Sequence, residues 1–127
     1  MAYTTINDPT DYFNTKLYAG NSGTQSITGV NFQPDFLWIK RRNIAGDHQL
    51  VDVIRTSDKT LMSNSTDVEY SNNTITSFDT DGFSLSGSDG AINASGSNYV
   101  AWNWLANGTG SSNTAGSINS TVSVNTT

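Results

Sequence analysis

Between Tyr12 and Leu105 the apolar residues come in short clusters, and each cluster is closed by Gly, Asn, Asp or Ser. This pattern constrains the fold more than any other feature of the chain. A helix needs an apolar stripe sustained at a period of 3.6 over ten or more residues, whereas half-buried strands need only a few alternating positions between turns. Ser, Thr, Asn and Gly supply 60 of the 127 residues, which suits β-branched strand positions and tight turns. Disorder is excluded by the other end of the composition, because charge is scarce and 13 aromatics are available for a core. The chain therefore reads as one all-β domain.

Phe13, Thr15 and Leu17 alternate with Asn14, Lys16 and Tyr18, and Gly20-Asn21-Ser22-Gly23 ends that segment. Thr24 to Val30 follows as a second strand. Phe36-Leu37-Trp38-Ile39 is apolar on both faces, the pattern of a central strand covered on both sides. Gln49 to Arg55 alternates less cleanly and reads as a strand or a helical turn. Thr74–Phe78 and Phe83–Ser86 flank Asp79-Thr80-Asp81-Gly82, a hairpin signal. Tyr99 to Leu105 is the last strand, with Val100, Trp102 and Trp104 on one face. Residues 1–11 read as an arm turning at Asp8-Pro9, and residues 12–106 as the β domain. Residues 107–127 read as a Ser/Thr/Asn/Gly-rich linker, with Ile118, Val122 and Val124 starting a further strand or domain.

The net charge of −5 disfavours nucleic acid as a partner, since phosphate-backbone binding needs a basic footprint. No apolar run is long enough for membrane insertion, and the N-terminus shows no basic and apolar signal pattern. Without cysteine there are no disulfides, thiolate sites or cysteine nucleophiles.

Four groups could carry chemistry. Trp38, Tyr99, Trp102 and Trp104 could stack sugar rings, although Trp102 and Trp104, sharing one strand face, equally suit a core. Lys40, Arg41, Arg42 and Arg55 form the basic set and could hold an anion bidentately, against the plainer reading of a strand running out into solvent. Asp79, Asp81 and Asp89, with Asn93 downstream, could bind calcium between loops, although the hairpin alone explains the first two and no EF-hand spacing exists. Calcium is the one cofactor the sequence leaves open. His48 stands between Asp47 and Gln49 with Asp52 and Arg55 nearby, but no nucleophile motif accompanies it, so a structural role is expected. Glu69 is the single Glu, and glycoside hydrolysis needs a placed carboxyl pair. No enzymatic activity is expected.

Several segments taken in order resemble one family. They are Asp11-Tyr12-Phe13-Asn14-Thr15-Lys16-Leu17-Tyr18, Gln25-Ser26-Ile27-Thr28-Gly29-Val30 and Phe32-Gln33-Pro34-Asp35-Phe36-Leu37-Trp38-Ile39-Lys40. Asp47-His48-Gln49-Leu50, Thr76-Ser77-Phe78-Asp79-Thr80-Asp81-Gly82-Phe83 and Tyr99-Val100-Ala101-Trp102-Asn103-Trp104 continue the series. Together they resemble virion-associated proteins of marine tailed bacteriophages, whose domains are described as concanavalin A-like or lectin-like β-sandwiches. The resemblance implies an antiparallel β-sandwich of jelly-roll or concanavalin A-like form. It also implies a virion location, other virion proteins as partners and a homo-oligomer, with a trimer favoured. The expected function is a non-catalytic structural module of a tail fibre or adhesin used in host attachment. A carbohydrate-binding module that recognises a host surface glycan, or a capsid decoration protein, are the alternatives.

Overall fold

The computed structural model describes residues 8–106 and 110–123. Asp8 opens the described chain by accepting the Thr10 N–H at 2.9 Å, which caps a single 3₁₀ turn at Pro9–Asp11. Nine strands follow: β1 (Phe13–Ala19), β2 (Gln25–Thr28), β3 (Phe36–Arg41), β4 (Gln49–Asp52), β5 (Thr56–Met62), β6 (Tyr70–Ser71), β7 (Ile75–Asp79), β8 (Gly82–Leu85) and β9 (Asn98–Trp104). A last hairpin joins β10 (Ser111–Asn113) to β11 (Ser120–Val122). The expected strand signals therefore correspond to real strands, with two exceptions. Gln49 to Arg55 is not one strand, because the Asp52 carboxylate accepts the N–H groups of Ile54 and Arg55 at 3.0 and 2.9 Å and turns the chain there. The expected linker contains a short exposed hairpin, in which Ser111 pairs with Val122. Val124 lies outside the described residues.

The strands form an antiparallel β-sandwich. One layer is six-stranded, in the order β1-β9-β3-β4-β5-β6, and the other is three-stranded, β2-β8-β7. Between them lie Leu37 and Ile39 of β3, Val51 of β4, and Tyr99 and Ala101 of β9. They meet Ile27, Ile75, Phe83 and Leu85 of the smaller sheet, and Ile92 from the β8–β9 loop joins them. Burying each of the larger side chains is worth about 1.5–3 kcal/mol, so this layer holds the sandwich shut.

Two tyrosines extend the core into the loops. Tyr18 and Tyr99 stack with ring centroids 5.1 Å apart. The Tyr18 hydroxyl donates to Ile92 O at 2.8 Å, and the Tyr99 hydroxyl donates to Gly90 O and accepts from Ala94 N, both at 2.9 Å. Burial pushes the Tyr18 phenol well above its ordinary pKa. Beside them, the fully buried Asn93 donates to Gly23 O and Gly87 O at 2.8 Å and accepts from Gln25 Nε2 at 2.6 Å. One amide thus ties the β1–β2 loop, the start of β2 and the β8–β9 loop together at this end of the molecule. At the opposite end, Leu105 N–H donates to Tyr12 O at 2.9 Å, so the chain enters and leaves the sandwich at neighbouring points.

The β7–β8 hairpin follows the Asp-Gly signal, with Thr80 and Asp81 in its turn. Gly82 sits at φ +144°, and a Cβ there would collide with the Ile27 carbonyl oxygen of β2. The residue therefore allows the hairpin and β2 to come together.

Candidate functional site

Strand alternation sorts the aromatic residues onto two sides of the large sheet. On β9, Tyr99, Ala101 and Asn103 point inward, and Val100, Trp102 and Trp104 point away from the core. The registers carry this parity across the sheet. Phe13 and Phe36 both pair with Trp104, while Thr15 and Trp38 both pair with Trp102. The result is an aromatic outer face. Trp104 lies 4.9 Å from Phe13 and 5.2 Å from Phe36 between ring centroids, and Trp38 meets Trp102 edge-on at 5.8 Å. Phe13, Trp38, Trp102 and Trp104 line a depression of about 320 Å³, a volume in the range of small-ligand sites.

These contacts explain why the rings are half-buried although no second layer among the described residues covers them: they shield each other. Phe13 keeps 36% of its surface exposed and Leu17, on the same face of β1, keeps 61%. The expectation that β3 is covered on both sides is corrected here, since Phe36 and Trp38 face outward while Leu37 and Ile39 are fully buried. The core placement of Trp102 and Trp104 is corrected in the same way. Tyr99 leaves the sugar-stacking set because odd and even residues of β9 face opposite ways, and its ring is fully buried. Phe13 and Phe36 join the face. The signal for both was their cross-strand register with Trp104, which a single sequence does not display.

His48 belongs to this face as well. Trp38 donates from Nε1 to His48 Nδ1 at 3.0 Å, and the two rings are 5.8 Å apart. An accepting Nδ1 places the proton of the neutral imidazole on Nε2. Among the described residues, the indole N–H groups of Trp102 and Trp104 have no acceptor. The face thus combines flat apolar surface with free donors, as a stacking site for a polar ring requires. A larger hollow of about 590 Å³ lies beside Met62, Asp67, Val68 and Tyr70, but Val68 is 84% exposed and forms no wall.

The basic set divides. Lys40 continues the outer row of β3 and donates from Nζ to Arg41 O at 3.1 Å and Gly46 O at 2.9 Å. Arg41 faces the other way, with a guanidinium N–H donated to Ser97 Oγ and a buried Nε that has no partner. Arg42 is exposed, and its backbone N–H donates to Asn98 O at 2.7 Å. Arg55 stands apart from these three. It is committed to Asp52 at 2.6 Å and Glu69 at 3.1 Å, which shape the β4–β5 turn.

The three aspartates proposed for calcium do separate structural work. Asp79 accepts from the Ser77 and Ser84 hydroxyls at 2.7 and 2.6 Å. Asp81 accepts the N–H groups of Gly29 and Asn31 at 2.9 and 2.7 Å, and these bonds hold its carboxyl below the usual carboxylate range. Asp89 accepts Ala91 N–H at 2.8 Å within its own loop. Among the described residues, no three His, Cys, Asp or Glu side chains are gathered as a metal site would need. Asn93, once counted downstream of this set, is the buried loop tie described above.

No curated protein and no solved structure matches the chain. One family model does, over residues 8–127, and the chain accordingly belongs to the family described as Domain of unknown function (DUF7483).

Proposed function

We propose that the domain is a non-catalytic glycan-binding module, working as part of a bacteriophage tail fibre or adhesin in host attachment. The observation that carries the binding reading is the depression formed by Phe13, Trp38, Trp102 and Trp104 on the solvent side of the large sheet. Rings of this kind stack on the apolar faces of sugars, and the free indole N–H groups supply hydrogen bonds to hydroxyls. The engagement of Asp52, Asp79, Asp81 and Glu69 in turns and ion pairs supports a non-catalytic role, because a catalytic pair must stay free to exchange protons. The resemblance to virion-associated proteins supplies the phage setting and the homo-oligomer, with trimers measurable by sedimentation equilibrium.

A glycan array tests the binding reading, run with and without calcium on the wild-type chain and on Trp102→Ala. Glycan signals that vanish in the variant are expected. An array blank for the wild-type chain under both conditions sinks the reading. Immunogold labelling of intact particles tests the setting: label at the tail is expected, and label over the capsid replaces attachment with capsid decoration.

A further inference from the structure

Arg55 pairs with Asp52 and Glu69, Lys59 pairs with Asp58, and Lys16 lies within electrostatic reach of Asp81, whereas one group of cations meets no carboxylate. Lys40, Arg41 and Arg42 meet no carboxylate among the described residues, although acidic residues outnumber basic ones 11 to 6. Three adjacent like charges left unpaired in an acidic protein repel one another, and a bound anion would relieve that repulsion.

Two of these cations lie beyond the Trp38 end of the aromatic depression, outside its lining. The outer row of β3 reads Phe36, Trp38, Lys40, and the Arg42 N–H bond to Asn98 O carries strand spacing one step further. Same-face neighbours on a strand are about 7 Å apart. The row therefore passes from two stacking rings to two cations within a few sugar units. Lys40 has used two of its three ammonium donors on backbone carbonyls, which fixes its head group and leaves one donor. Arg42 keeps all its side-chain donors, and a guanidinium fork matches carboxylate and sulfate geometry. On the other side of Trp38, neutral His48 adds an Nε2 donor.

We propose that the ligand of the aromatic face is an acidic glycan, and that Lys40 and Arg42 hold its carboxylate or sulfate while Trp38 stacks on the adjoining ring. The inference rests on the glycan-binding reading and names the ligand class within it. A protein of net charge −5 repels polyanions at long range, so retention of one must come from this local pair and must weaken with salt.

Dextran and dextran sulfate share one sugar backbone and differ in charge, which makes them the probes. The ¹⁵N-labelled chain is titrated with each, following the indole and Arg side-chain N–H signals, for wild type, Arg42→Gln and Lys40→Gln. Circular dichroism checks that each variant is folded. Dextran sulfate is expected to bind at least tenfold more tightly than dextran, to shift the Trp38, Trp102 and Arg42 signals together, and to weaken about tenfold in Arg42→Gln. Equal affinity for the two polymers, or unchanged binding of dextran sulfate by both variants, overturns the acidic-ligand inference and leaves the stacking reading standing. Shifts confined to Arg42, with the indole signals unmoved by either polymer, overturn the stacking reading and this inference with it. Absence of any saturable shift with dextran sulfate also overturns the inference.

Discussion

The two outer faces of the sandwich solve the same problem in opposite ways. On the three-stranded sheet, Ser26, Ser84 and Ser77 stand opposite one another on β2, β8 and β7. The Ser26 and Ser84 hydroxyls lie 3.0 Å apart, Ser84 donates on to Asp79, and Ser77 donates to the same carboxylate. That face is a closed ribbon of small polar groups with its hydrogen bonds already made. On the six-stranded sheet the corresponding positions hold Phe13, Phe36, Trp38, Trp102 and Trp104, with two indole donors unused. Stability alone does not call for large rings on a solvent-facing sheet, because alternating polar residues serve equally well there, as the smaller sheet demonstrates. The difference is what favours the aromatic side as the binding side in the proposed function.

The largest expected effect of a substitution tests how the polar sheet is held. Gly82→Ala forces a Cβ against the β2 backbone and is expected to cost about 3 kcal/mol in denaturant unfolding. A loss under about 1 kcal/mol would mean that the close approach of β2 and β8 does not set this sheet. Next comes the aromatic face itself. Trp102→Ala should remove about 1–2 kcal/mol of stability, through the lost contact with Trp38 and its half-buried surface, while abolishing glycan binding. Should stability collapse by much more, the rings are acting as a core and the contrast between the faces fails.

Ser84→Ala breaks the hydroxyl ribbon and should cost about 1 kcal/mol with glycan binding intact, measured by thermal melts and the same array. Binding lost in this variant would assign function to the wrong face. The smallest effect is on acid stability. The Asp81 carboxyl is depressed by N–H bonds from Asn31 and Gly29, so its stabilisation is fully present above an unfolded-state pKa of about 4 and is lost as pH falls through the lower folded value. Melting midpoints recorded from neutral to acidic pH should fall less steeply below that point in Asp81→Asn. Identical profiles would show that the turn does not depend on the charge.

Much of this architecture is legible in the residues, and the limits are physical. The β7–β8 hairpin announces itself through Asp81-Gly82 between apolar runs, and β9 through its alternation. β5, Thr56-Ser57-Asp58-Lys59-Thr60-Leu61-Met62, carries almost no apolar period, because much of what it presents to either side is polar or charged. Register with β4 makes it a strand, and register is a long-range property. The aromatic face was misread for a subtler reason. Alternation tells which residues share a side, and it correctly separates Tyr99 from Trp102 and Trp104. It does not tell which side meets the core when both are apolar, and in β3 and β9 both are. The cations were legible as a cluster, but parity splits them: Lys40 and Arg42 lie along one row, and Arg41 turns to Ser97.

The hydrogen bond from Leu105 to Tyr12 has a mechanical consequence. Because β1 and β9 are antiparallel neighbours whose outer ends adjoin, tension applied where the chain enters and leaves the sandwich meets their ladder at one end. It peels Phe13 from Trp104, then Asn14 from Asn103, one rung at a time, instead of shearing seven rungs together. A domain loaded in this way yields at low force. An attachment that must withstand pulling would have to route the load through the bound face and away from this pair of strands.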